Sequence, residues 1–120
     1  MRIYIAGPMR GYELFNFPAF DEARDRAKAL GYDVTSPADM DREMGFDGTQ
    51  SIENFKFNLK AAIIRDIIAV VGCDAIALLP GWEKSSGARV ELAAAMFLGI
   101  RILDATNFEP INAKVIGVGY

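Results

Sequence analysis

The chain has 120 residues, with 13 Lys and Arg against 16 Asp and Glu for a net charge of −3, and 52% of it is apolar. That describes one globular domain, residues 1–120, able to bury roughly two-thirds of the surface its unfolded form exposes. The single Cys73 excludes an intramolecular disulfide, and the absence of histidine excludes Ser-His-Asp chemistry and imidazole-held metals, which leaves acid–base work mainly to carboxylates.

Arg2 to Ala6 is a short β-rich run closed by Gly7-Pro8, a first strand leading into a loop. The run is too short for the core of a signal peptide, so a cytoplasmic protein is expected. Asn16 reads as a helix cap. From Pro18 to Leu30 the apolar residues Phe20, Ala23, Ala27 and Leu30 recur at helical spacing, and Gly31 stands where a left-handed residue would end the helix. Phe15, Phe17 and Phe20 read most simply as helix entry and core. Tyr32 to Ser36 is the second strand, and Asp39 to Gln50 is a polar loop of a length often used for lids.

Ser51 is placed to cap a helix from Ile52 to Val71, after which Asp74 to Leu79 forms a third strand that Pro80-Gly81 breaks. The apolar stretch Ala61 to Leu79 is interrupted by Arg65, Asp66 and Asp74, so it is a buried helix and strand with no membrane span. The next helix runs from Gly87 to Leu98, Gly99 ends it, and Arg101 to Leu103 begins a fourth strand. The tail from Phe108 to Tyr120 adds a short helix or a last strand. Strands alternating with helices imply an α/β fold with a parallel sheet covered on both faces. In such sheets the ligand crevice lies beyond the carboxyl ends of the strands where strand order reverses, commonly between strands one and three. The loops Gly7 to Asn16 and Pro80 to Gly87 leave those two ends.

Within the second loop the sequence runs LLPGWEKSSGARVELAAA. Ser85 or Ser86 caps a helix whose first positions, Gly87 and Ala88, leave backbone N–H groups uncovered, which is the form of an anion site and equally of an ordinary serine cap. Glu91 has Gly87, Ala88, Ala94 and Ala95 as helical neighbours, so small side chains leave room beside its carboxylate. The alternative is a solvated surface charge, yet Leu92 to Leu98 is apolar on every side of the helix. That pattern suits burial against a sheet, a partner subunit, or both.

Asp66 lies among Ala62, Ile63, Ala69 and Val70, a face that would ordinarily hold Leu or Val, and a buried Asp is rare unless paired or functional. Its structural alternative is an ion pair with Arg10 or Arg65. Arg65 is roughly 100° away around the helix, which disfavours a direct pair, so Arg10 is the better partner or an anion ligand. Two carboxylates beside Tyr4, Arg10 and Ser85 suggest glycosidic chemistry, one attacking the anomeric carbon while the other protonates the leaving group. In that scheme Glu91 is ionised near an ordinary carboxylate value and Asp66 is protonated, giving a bell of activity on the acid side of neutrality.

The segments YIAGPMRG (Tyr4 to Arg10), RD (Arg65-Asp66) and SSGARVELAAA (Ser85, Gly87, Glu91) resemble the nucleoside 2-deoxyribosyltransferase superfamily, and within it the 2′-deoxynucleoside 5′-phosphate N-hydrolase branch. The chain also looks like a family of small uncharacterised bacterial and phage proteins with an LPGWE-S-GA-E motif. The likeness runs from Met1 to about Asp104 and is carried by three short motifs. It implies a flavodoxin-like three-layer sandwich with a parallel sheet of four to five strands. It further implies Glu91 as nucleophile, Asp66 serving the base or leaving group, and Tyr4 and Arg10 in the site. The N-hydrolases carry a serine that contacts the 5′-phosphate at the position of Ser85, where transferases tend to carry aspartate, which tilts the choice towards a phosphorylated substrate. The Pro8-Met9 pair and the Trp82-Glu83 insertion depart from the N-hydrolase pattern.

The expected activity is therefore hydrolysis of the N-glycosidic bond of a nucleoside 5′-monophosphate, without metal or organic cofactor. Glu91 and Asp66 would be catalytic, and Tyr4, Gly7, Arg10, Ser85, Ser86, Gly87 and Trp82 would bind substrate, with Trp82 serving either base stacking or packing. A deoxyribosyltransferase and a non-catalytic nucleotide-binding module are the competing readings. The expected partners are a small nucleotide or nucleoside and further copies of the chain as a homodimer or higher homo-oligomer. A nucleic-acid polymer is not expected, because the chain is acidic and has no basic block, and neither is a membrane.

Overall fold

A computed structural model describes residues 1–112. Four strands, β1 (Arg2–Ala6), β2 (Asp33–Thr35), β3 (Ala75–Leu78) and β4 (Arg101–Asp104), form one sheet in the order β2-β1-β3-β4, and every pair is parallel. Parallel neighbours need crossovers, and α1 (Phe17–Ala29), α4 (Leu59–Val71) and α5 (Ser86–Phe97) supply them. The chain reverses direction across the sheet between β1 and β3, as the alternation of elements predicts. This is the flavodoxin-like arrangement with four strands; a fifth would fall in the tail beyond Asn112, outside the described residues.

Strand periodicity assigns the two faces. Ile3, Ile5, Ala75, Ala77 and Leu103 point to one side, where Phe17, Phe20, Ala23 and Ala27 of α1 cover them. Tyr4, Ala6, Ile76, Leu78 and Ile102 point to the other, against Val70 of α4 and Ala88, Leu92 and Ala95 of α5. A tyrosine in the second set is the one polar side chain that β1 carries into the interior.

Three expectations need correction. Asp39 to Gln50 is only partly a loop, because α2 (Pro37–Glu43) begins where Ser36 precedes a proline at the first helical position. The helix expected over Ile52 to Val71 is broken in two: Ser51 does cap α3 (Ile52–Phe55), but Lys56 turns left-handed at φ 58° and Asn58 starts α4 by accepting from the Ala61 N–H. Asn16 stands before α1 at φ 59° without capping it, and donates instead to the Pro8 carbonyl at 2.8 Å. That bond helps hold Leu14, Phe15 and Asn16, all left-handed, while the Phe15 ring packs on Phe17, Phe46 and Phe57.

Candidate active site

Tyr4 is wholly buried in the middle of β1. A buried phenol needs a polar partner, and its hydroxyl donates to Oε2 of Glu91 at 2.8 Å. Glu91 reaches it from the second turn of α5, a helix that starts at Ser86 because the Ser85 hydroxyl accepts from the Ala88 N–H at 3.2 Å. Only 5% of Glu91 is exposed, which rules out a solvated surface charge.

Asp66 comes to the same place from α4 and hydrogen-bonds with Glu91. Burial first, and then the Asp66 charge, push the Glu91 carboxyl well above the ordinary carboxylate range, against the opposing bond from Tyr4. Burial raises Asp66 as well, while Arg65 pulls it back. Burial thus biases both acids towards their neutral forms, while the Arg65 guanidinium on Asp66 favours the anion there. The raised Asp66 agrees with expectation, whereas Glu91, expected near an ordinary carboxylate value, is raised too. Tyr4 is kept protonated by burial and by both carboxyl groups.

The expected partner of Asp66 also needs correction. Arg65 does pair with it directly, Nε at 3.0 Å and Nη2 at 2.8 Å from Oδ1, because the long side chain folds back across the helix surface. Arg10 is exposed and belongs to no ion pair among the described residues. Sequence reasoning missed Asp41 of α2, which accepts from Arg65 Nη2 at 2.8 Å and is 1% exposed. Burial pushes its carboxyl up to about 6 even though Arg65 opposes the shift. Ser36-Pro37 was the available signal, since a helix starting there would carry Asp41 inward.

The remaining predicted residues divide. Gly87 and Ser86 are exposed at the start of α5, and a Cβ on Gly87 would meet nothing within 4 Å, so this helix end is open to approach. Trp82 is half-buried and packs against the core on the Glu91 face. Gly7 is buried and has a packing reason of its own, because a Cβ there would come within 2.7 Å of the Leu79 Cβ. Gly7→Ala is accordingly expected to destabilise the fold by about 1–3 kcal/mol through overpacking. Chemical denaturation measures it, and an unchanged midpoint would mean that the turn yields freely.

Among the described residues no group of three or more acidic or cysteine side chains is arranged to hold a metal ion. A cavity of about 330 Å³ opens on the α1 side of the sheet, lined by Ala19, Glu22, Arg26, Leu79, Pro80 and Thr106. It contains no member of the Tyr4, Asp66 and Glu91 cluster; its polar side chains are Glu22 beside Arg26 and Thr106, whose hydroxyl donates to Asp104. The chemistry therefore points to the α4 and α5 side.

The fold is similar to the solved structure of a 2-deoxyribosyltransferase from the psychrotolerant bacterium Bacillus psychrosaccharolyticus, with a TM-score of 0.60 and 21% identity over 96% of this chain and 80% of that one. No curated protein matches the sequence. The family described as a domain of unknown function, DUF4406, matches residues 1–104. That span holds all four strands and every residue from Tyr4 to Glu91 just described, and so the chain belongs to the DUF4406 family.

Proposed function

We propose that this protein cleaves the N-glycosidic bond of a nucleoside 5′-monophosphate, with Glu91 as nucleophile and Asp66 as the group that relays a proton to the leaving base. The observation that carries this reading is the pairing of the buried Glu91, anchored by Tyr4, with the half-buried Asp66, both carboxyls raised by burial. Substrate entry moves the proton from Glu91 to Asp66. The freed Glu91 carboxylate attacks the anomeric carbon, the carbon–nitrogen bond breaks, and the base departs with the proton from Asp66. Water then releases the sugar phosphate from Glu91, and a proton returns to the pair.

Incubation with a panel of deoxynucleotides, ribonucleotides and their nucleosides, followed by chromatography for free base, tests the reaction. Binding without any base release would favour a nucleotide-binding module. The fold's likeness to a 2-deoxyribosyltransferase favours transfer as the second reading. A free second base added to the panel separates the two, since transfer yields an exchanged nucleoside and hydrolysis does not.

The open start of α5 supports the phosphate preference. Its unpaired N–H groups, the Ser85 cap and the unengaged Arg10 can give a dianion charge-assisted bonds. A 5′-monophosphate is expected to bind more tightly than its nucleoside by about 1.5–3 kcal/mol for each such bond. Calorimetric titration of matched pairs checks it, and equal affinities would favour the transferase reading.

The partner we propose is a second copy of the chain. Ile64, Ile68 and Val71 form an exposed stripe on α4, with Ile68 at 67%, and Val90 and Phe97 are exposed on α5, with Phe97 at 81%, as is Leu98 just past its end. These two helices flank the carboxylate pair, so a dimer through this face would also screen the pair from water. Sedimentation is expected to give a dimer at micromolar concentration, and Phe97→Asp a monomer. A wild-type monomer would remove this proposal.

A further inference from the structure

The polar chain on the Glu91 face extends beyond the two acids that the proposed reaction uses. Arg65 sets both Nε and Nη2 on one oxygen of Asp66, Oδ1, and its Nη2 reaches Oδ1 of Asp41 as well. Oδ2 of Asp66 is therefore unclaimed by the guanidinium and free to meet Glu91. Asp41 belongs to a different helix, and its carboxylate has no other side-chain hydrogen bond among the described residues. Its one contact thus pins the arginine from behind.

We infer that Arg65, held by Asp41, is the positioning residue of this site and decides which of the two facing acids carries their shared proton. The chemistry it would serve rests on the glycosidic reading above, but the geometry does not. With the guanidinium fixed on Oδ1, Asp66 stays an anion and presents Oδ2 as an acceptor, so the proton resides on Glu91. When that proton moves, the Glu91 O–H bond breaks and an Asp66 Oδ2–H bond forms, while the charge of the cluster is unchanged. Asp41 sets how much of the arginine's charge is left for Asp66, since one cation is divided between two carboxylates.

The groups that act on the pair come from three elements: the Tyr4 hydroxyl from β1, Arg65 from α4, and Asp41 of α2 behind Arg65. β3 and β4 present Ile76, Leu78 and Ile102 to this face, and Asp104, next on that side of β4, accepts from Thr106. Glu83 and Lys84, in the turn before α5, are exposed to solvent.

Carbon-13 NMR of the full chain, labelled at the carboxyl carbons of Asp and Glu, tests the inference without substrate. The Glu91 and Asp66 signals are assigned by their loss in Glu91→Gln and Asp66→Asn. Arg65→Gln is expected to raise the Asp66 titration by about one pH unit or more, a tenfold change in its ionisation, and bring it towards that of Glu91. Asp41→Asn is expected to lower both titrations, because the guanidinium then acts on the pair without a competing anion. If Arg65→Gln does not fold, Asp41→Asn decides alone, since an amide fits where the carboxylate was. Unmoved Asp66 and Glu91 titrations in folded Asp41→Asn would overturn the inference and make the Asp41 pair a mere tie between helices. A substrate panel without base release would defeat the glycosidic reading and leave the titrations to rule on Arg65 separately.

Discussion

Glu91→Gln is expected to lower base release by orders of magnitude while leaving nucleotide affinity and the fold close to wild type. The structure gives an unusual reason for the second half of that statement. In the free protein burial and the Asp66 charge raise the Glu91 carboxyl well above the ordinary range, which favours its neutral form. A glutamine is close in size and also neutral, and its carbonyl can accept from Tyr4 while its amide donates to Asp66, so the variant reproduces the resting state. What it lacks is the step out of that state, since an amide has no proton to hand over and no anionic oxygen to attack with. Steady-state turnover and calorimetric affinity on one substrate separate these effects, and near wild-type turnover would end the nucleophile assignment.

The same raised carboxyl moves the expected pH profile. With Glu91 at an ordinary carboxylate value, activity would peak on the acid side of neutrality. In the proposed cycle the working form carries one proton on the pair, so the rising limb of kcat/KM against pH reports loss of a second proton and the falling limb loss of the last, and burial displaces both upward. No imidazole can account for either limb, since the chain lacks histidine.

The parallel sheet and the inward turn of Glu91 were legible because each rests on a strong local signal. Strand and helix patterns alternate cleanly around Gly-Pro and Pro-Gly breaks, and a carboxylate among alanines on an apolar helix has few places to go except inward. The ends of the middle helices were less legible. Lys56 turns left-handed without a glycine to mark it, and the Asn58 cap lies inside a run that otherwise keeps helical spacing. Arg65 was misjudged because angular separation around a helix describes Cβ directions, whereas a guanidinium on a long flexible stem can reach a neighbour 100° away. Asp41 was lost with the helix that carries it. Once Asp39 to Gln50 is read as loop, its acids look solvated, and nothing local contradicts that.

Removing that guanidinium is expected to have the largest effect on stability of any single change at the site. Arg65→Met keeps much of the apolar stem but leaves Asp41 and Asp66 without their shared cation, and stripping one partner from a buried ionic group typically costs about 3–5 kcal/mol. That is a large part of the roughly 5–15 kcal/mol that holds an ordinary domain together. The loss should depend on pH in a definite direction. Asp41 titrates at about 6 in the folded protein against 3.8 for a free side chain. Between those values the folded chain binds more protons than the unfolded one, so this group's contribution weakens as pH rises through the window and is restored as pH falls. Glu91, also raised, acts in the same sense. The variant, lacking the cation that opposes these shifts, should hold its protons to higher pH still. Its deficit against wild type is therefore expected to be greatest near neutrality and to shrink towards about pH 5, where the acids can become neutral. Denaturation midpoints of both proteins at the two pH values test it. An equal deficit at both would trace the loss to the packing of the arginine stem, and would deny the Asp41–Arg65–Asp66 bridge an electrostatic role in stability.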